Sequence, residues 1–164
     1  MGAWNDKEPD VKHFLLASLA IAGAVTMAAA QTRFAPAAET IRMRQANYKQ
    51  MGGAVKGVND QLAGDAPAIA EIRRHSATIA RHARNVLTWF PHGTGAEAGV
   101  RTRAKPEIWS DPRGFRVAGA NLLVAARGLD AEARSGDVEG VRTALPTLRR
   151  ACAGCHETYR GPEN

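Results

Sequence analysis

Close to its C-terminal end the chain reads Cys152-Ala-Gly-Cys155-His156, two thiols with an imidazole directly after the second. On a helix, residues three and four apart share a face, so Cys152, Cys155 and His156 project together. Thiols placed in this way can bond to the edge of a flat tetrapyrrole while the imidazole reaches its iron, and C-x-x-C-H is the attachment signature of c-type haem. Three other chemistries compete for the same residues. A thiol oxidoreductase uses C-x-x-C at a helix start following a strand, whereas this motif closes a helical pattern. Zinc needs four ligands, and His75, His82 and His92 form no second clustered pair. A disulfide between cysteines three apart in an unbroken helix rarely reaches the required geometry. Covalent haem is the reading that uses all three side chains.

The elements that must position this motif are helical. Aromatic residues make up 5% of the 164 and alanine recurs throughout, a composition that favours helix over strand. Four segments repeat apolar or small residues at steps of three and four, which keeps each set on one helical face. They are Ile41, Tyr48, Met51, Val55, Val58 and Leu62; then Ile69, Ile72, Ser76, Ile79, Ala83, Val86 and Phe90. The third is Phe115, Ala118, Leu122, Ala125 and Leu129, and the fourth Val138, Val141, Leu145, Leu148, Cys152, Cys155 and Tyr159. Gly64 and Pro67 separate the first two, and Gly136 the last two, with Asp137 able to cap. Between them Pro91, Gly93, Gly95, Gly99 and Pro106 mark a connection of about twenty residues, long enough to carry function. Asp111 before Pro112 reads as an N-cap followed by proline at the first helical position. Short links between such stripes give an all-α, antiparallel up-down-up-down four-helix bundle. Pro146, inside the fourth pattern, predicts a bend or a delayed start.

Arg44 stands between Ile41 and Tyr48 on the apolar stripe, where an unpaired charge is costly. A haem propionate would suit its guanidinium through paired hydrogen bonds, and Gln45 could add another; the bland reading is an arginine that snorkels to the surface.

Residues 14–30 carry no charge and end Ala28-Ala29-Ala30, the pattern of a secretory signal, residues 1–30, cleaved before Gln31. The stretch is short for a membrane span. Asp6, Glu8 and Asp10 are unusual in such a leader, and a true start near Val11 would remove them. Residues 31–164 then form the folded domain, placed in the periplasm and free of the membrane. The full chain is formally +6; without the leader's two lysines and three acids, 20 basic and 13 acidic residues remain, +7. Arginine and lysine do not cluster with aromatics, so nucleic acid is not the expected partner. The positive bias favours anionic partners in a salt-dependent way.

Three stretches together resemble the cytochrome c′ family: residues 41–52 (IRMRQANYKQMG), 101–111 (RTRAKPEIWSD) and 152–160 (CAGCHETYR). The match spans residues 35–161, and cytochromes c′ are themselves examples of the up-and-down bundle. The resemblance implies one covalent haem c near the C-terminus, with His156 as axial ligand to the iron and Arg160 beside it. It implies Arg44 and Gln45 on the propionates, with Arg101, Arg103 and Lys105 as weaker candidates. It places Tyr48, Trp89, Phe115 and Leu122 over the distal face, where a bulky residue at Tyr48 leaves the iron five-coordinate.

The implied role is binding rather than catalysis. Small neutral gases such as nitric oxide and carbon monoxide would bind ferrous iron under an apolar distal wall, and dioxygen, which benefits from a hydrogen-bond donor, would be disfavoured. The rival is a low-spin electron carrier in which Met51, or less readily Met43, supplies a thioether as sixth ligand; its bland role is core filling. A periplasmic redox partner fits either. The resemblance also implies a homodimer through the first two helices, with Gly52, Gly53 and Gly57 allowing close approach.

Overall fold

The computed structural model describes the backbone of residues 11–162 and the side chains of residues 36–162. The chain falls into two units, Met1–Pro36 and Ala37–Asn164, and the account below concerns the second. The leader, its cleavage site before Gln31 and the start near Val11 lie outside the described side chains.

Four long helices build the fold: α1 (Val11–Ala63), α2 (Ile69–Asn85), α4 (Pro112–Ser135) and α5 (Val138–Tyr159), with a single helical turn, α3 (Glu107–Ser110), in the long connection. No strand occurs among the described residues; one isolated bridge joins Ala104 to Arg160. α4 packs on both α2 and α5. α1 is tied to α2 through Gln50 and His82, 3.2 Å apart, and to α5 through Arg142, which donates to the Leu62 carbonyl at 3.0 Å. Consecutive helices are therefore neighbours and the last meets the first, the square of an up-down-up-down bundle.

The punctuation works as its chemistry requires. Asp111 Oδ1 accepts from the Gly114 amide at 2.9 Å with Pro112 next to it, and Asp137 Oδ1 accepts from the Gly140 amide at 2.9 Å. Each acid satisfies one of the orphan donors of a helix start. Gly136 ends α4 at φ +89°, a conformation that penalises any Cβ. Arg73 closes the same end from α2, donating to the carbonyls of Ala133 at 2.9 Å and Arg134 at 3.2 Å. The second stripe does not stay α-helical to Phe90. It tightens into a 3-10 turn over Val86–Trp89. Pro146 does not delay its helix, since α5 runs from Val138 to Tyr159 with that proline inside.

One end of the bundle is closed. Val58, Ile72, Ile79, Leu129, Val141 and Leu148 have no exposed surface, and each contributes about 1.5–3 kcal/mol by leaving water. The polar groups inside it among the described residues are satisfied: the Ser76 hydroxyl has two acceptors for its one proton, the Arg73 carbonyl at 3.1 Å and Asp130 at 3.4 Å, and Arg134 pairs with Asp130 at 2.7 Å. Gly57 belongs here. A Cβ on it would collide with the His75 ring, so this glycine admits an α2 imidazole and does not face outward as the dimer expectation required. Gly52 and Gly53 have open space beside them.

Candidate functional site

At the other end the helices part around a cavity of about 470 Å³, within the range that holds cofactors and drug-sized ligands. α5 supplies one wall: Cys152, Cys155, His156, Tyr159 and Arg160 all line it. α1 faces them with Arg44, Gln45, Tyr48, Lys49, Met51 and Val55, and Phe115 closes the α4 side. The connection completes the enclosure with Phe90, Thr102, Arg103, Ala104 and Ile108.

The α5 wall is held at its end by the connection. Lys105 donates its amide to the Tyr159 carbonyl at 3.1 Å, and the Gly161 amide donates to the Arg103 carbonyl at 2.8 Å. Arg103 Nε returns a bond to the Gly161 carbonyl at 2.8 Å. The Tyr159 hydroxyl donates to Asp111 at 3.0 Å, so one carboxylate both caps α4 and fixes the last turn of α5. Two bonds of that carboxylate, from the Gly114 amide and then Tyr159, hold its pKa below the usual range.

Electrostatics sort the groups. Burial pushes both thiols up, and the neighbouring Cys152 adds to the rise at Cys155. An exchange centre needs the opposite, a depressed thiol, so the environment argues against the oxidoreductase alternative. Desolvation lowers the His156 pKa, helped by the Arg160 and Arg103 cations; neutral imidazole is the form that binds a metal. Burial drives the Tyr48 phenol upward, and its hydroxyl has no hydrogen-bond partner among the described residues.

Tyr48 is held in place by aromatics. Trp89 meets it edge-on at 5.2 Å and Phe90 at 6.3 Å. Phe90 also contacts Trp109 at 6.4 Å and Phe115 at 5.1 Å, and Phe115 contacts Tyr159 at 5.2 Å. Such edge contacts contribute about 0.5–1.5 kcal/mol each beyond burial.

Most residues singled out in the sequence meet at this cavity: Cys152, Cys155, His156, Arg44, Gln45, Tyr48, Met51, Arg103, Phe115 and Arg160. Two expected on the distal wall do not. Trp89 lies in the core behind Tyr48 because the 3-10 turn, at three residues per turn, leaves the next residue, Phe90, to the cavity. Leu122 is two helical turns beyond Phe115, in the closed core. Arg101 contributes only its carbonyl, which accepts from Gln45 at 2.9 Å, and Lys105 pairs with Glu107 at 3.6 Å.

Arg44 is buried, as its place on the stripe implies, but its partners belong to the connection. Nη1 donates to the Thr94 hydroxyl at 3.2 Å and the Trp89 carbonyl at 3.4 Å. Nη2 donates to the Thr94 carbonyl at 3.0 Å and the Thr102 hydroxyl at 2.8 Å. The guanidinium lies 4.4 Å from the Phe90 ring centre, a cation–π contact. It clasps the connection over the cavity. Sequence reasoning missed Lys49, one turn after Gln45 on the same wall, which that spacing could have found; Ile108, in the single turn α3, and Thr102, in the loop before it, left no such signal.

A tetrapyrrole fits this site: the cavity is walled by aromatic and aliphatic groups, and two thiols and an imidazole share one helix face on its border.

Comparison with known proteins bears on the same residues. The family model for cytochrome c′ matches residues 39–160. A cytochrome c′ of Pararhodospirillum photometricum is 32% identical over 120 residues, 73% of this chain and 94% of its own. A cytochrome c-556 of Agrobacterium tumefaciens (strain B2A) is 34% identical over 125 residues, 73% of this chain and 95% of its own. A solved cytochrome c′, described as showing an unusual ligand-controlled dimer dissociation, superposes with a TM-score of 0.70 at 30% identity, covering 76% of this chain and 95% of that one.

Proposed function

Since the chain belongs to the cytochrome c′ family, a family of haem proteins with one covalent haem c, we propose that it is a periplasmic carrier of small neutral gases with a five-coordinate iron. In this reading residues 1–30 are an export signal. The observation that carries it is the single cavity shared by Cys152, Cys155, His156 and, opposite them, Tyr48.

Cys152 and Cys155 would hold the group by thioether bonds, and His156 would offer its imidazole to the iron. When bound, the haem supplies an iron that takes a diatomic ligand and exchanges one electron. The chain does the rest. Tyr48, locked by Trp89 and Phe90, occupies the distal wall with a neutral phenol, which disfavours its ligation as phenolate. Phe90 and Phe115 keep that wall apolar, so charged ligands lose more solvation than a neutral gas does. Gln45, Lys49, Arg103 and Arg160 gather polar and positive groups around the cavity, which suits propionates.

The test is an optical spectrum of the purified holoprotein with a Tyr48→Ala variant. A high-spin, five-coordinate spectrum and faster carbon monoxide binding in the variant are expected. An unchanged rate removes Tyr48 as the gate.

A second reading, a low-spin electron carrier, is favoured by one observation: Met51 is 7% exposed and borders the same cavity. A sharp low-spin spectrum with a methionine charge-transfer band, lost in Met51→Leu, would replace the first reading.

By analogy with the relative whose dimer dissociates under ligand control, the chain is proposed to form a homodimer through α1 and α2. Gly52 and Gly53, not Gly57, remain available for close approach.

A further inference from the structure

Val124 and Val117 are the most exposed large hydrophobic side chains among the described residues, at 70% and 55%. They stand seven residues apart on the outer face of α4, two turns along one stripe, with exposed Ala120 and Ala131 on the same side. Arg113, Arg116 and Arg127 are exposed around them, and none makes a hydrogen bond or ion pair among the described residues. Four exposed cations elsewhere are paired within their own helices: Arg42 with Glu39, Lys56 with Asp60, Arg74 with Glu71 and Arg142 with Glu139. Among the described residues Lys49, Arg81 and Arg101 are exposed without an ion pair too, so what distinguishes α4 is that its three surround an exposed apolar pair. The nearest carboxylate, Asp111, feels Arg113 and Arg116 but is committed to Gly114 and Tyr159. Between residues 112 and 131 the only acid is Asp130, and it is buried. An apolar centre with an uncompensated positive margin is an interface pattern, since single exposed valines need no explanation but a charge-framed pair does.

We propose that this face of α4 docks a soluble electron-transfer protein whose contact patch is apolar at its centre and bears carboxylates at its edge. The inference rests on the haem reading above, because the inner face of the same helix, at Phe115, walls the cavity, about 10–12 Å, one helix width, behind the Val117 end of the patch. A second copy of this chain does not suit the face. A two-fold contact is self-complementary, so it would bring the arginine margin of one copy against that of the other.

The probe is an acidic flavodoxin, fully reduced and mixed with the ferric holoprotein; its flavin gives up one electron and the iron takes it up. At low salt the Arg116→Glu/Arg127→Glu variant should be reduced about tenfold more slowly, and Val124→Asp should also be slowed. Reduction by dithionite should change less than about twofold. Arg81→Glu/Arg84→Glu makes the same charge change on α2 and should leave the flavodoxin rate within about twofold. Equal slowing by that control, or by dithionite, overturns the proposal. So does sedimentation showing that Val124→Asp converts a dimer to monomer, which would assign the face to a second copy. If the purified protein has no Soret band the haem reading fails by itself. Docking is then decided by calorimetric titration with flavodoxin: weaker binding of Arg116→Glu/Arg127→Glu sustains it, and equal binding ends it.

Discussion

The two ends of this bundle use the same four helices and the same three-four spacing, yet one closes on itself and the other opens around a cavity. At the closed end Val58, Ile72, Ile79, Leu129 and Leu148 fill the inward positions with aliphatic groups, Ser76 and Asp130 excepted. At the open end the inward positions pass to Tyr48, Phe115, Cys152 and Cys155, and the connection from Phe90 to Ile108 completes the enclosure. The periodicity is continuous along α5, through Val141, Leu145, Leu148, Cys152, Cys155 and Tyr159. What changes is the chemistry placed on it. A stripe builds a helix; the residue types on the stripe decide whether it meets another stripe or a cofactor.

That contrast can be broken at either end. The largest effect is expected from Cys152→Ala/Cys155→Ala, which should abolish covalent haem, read as loss of haem staining on a denaturing gel; persisting stain would remove the thiols from their role. At the closed end Leu129→Ala should cost about 2–5 kcal/mol in urea unfolding, and a loss near zero would show that this end is not packed. Arg44→Leu tests the clasp. Hydrogen bonds to a charged group contribute about 1.5–3 kcal/mol, so a loss on the order of 2 kcal/mol is expected, with faster proteolysis between residues 94 and 102. Unchanged proteolysis would leave the connection held by other contacts.

The smallest effect is a pH dependence at His82, buried between Gln50 and Trp89, which stands 5.8 Å away edge-on. Burial, and then Arg81, lowers its pKa. The unfolded chain therefore takes up a proton first as pH falls below about 6.5. Stability from the neutral ring is complete above that value and is lost as pH falls through the lower folded value. His82→Gln should flatten that part of the stability profile; an unchanged slope would assign it to other groups.

Much of this is legible in the amino-acid sequence. The motif Cys152 to His156, the caps Asp111 and Asp137, the stop at Gly136 and the four stripes all act locally, through residues within a turn or two of each other, and such signals survive in a linear reading. Trp89 and Leu122 show where it stops. Whether a stripe residue borders a cavity depends on how far along the helix the neighbours part, and a 3-10 turn shifts the register by a fraction of a residue. Arg44 shows a second limit. Its place on the apolar face announced a buried charge, but its partners, Thr94 and Thr102, are 50 and 58 residues away in a loop without periodicity.

The bond from Arg142 to Leu62 joins residues 80 positions apart, and its consequence is temporal. At a synthesis rate of about 5–20 residues per second, the last turn of α1 leaves the ribosome roughly 4–16 s before the helix that covers it. Throughout that interval the earlier helices present their apolar faces without their final neighbour, and Cys152 and Cys155 come later still. The pocket is among the last things the nascent polypeptide can assemble.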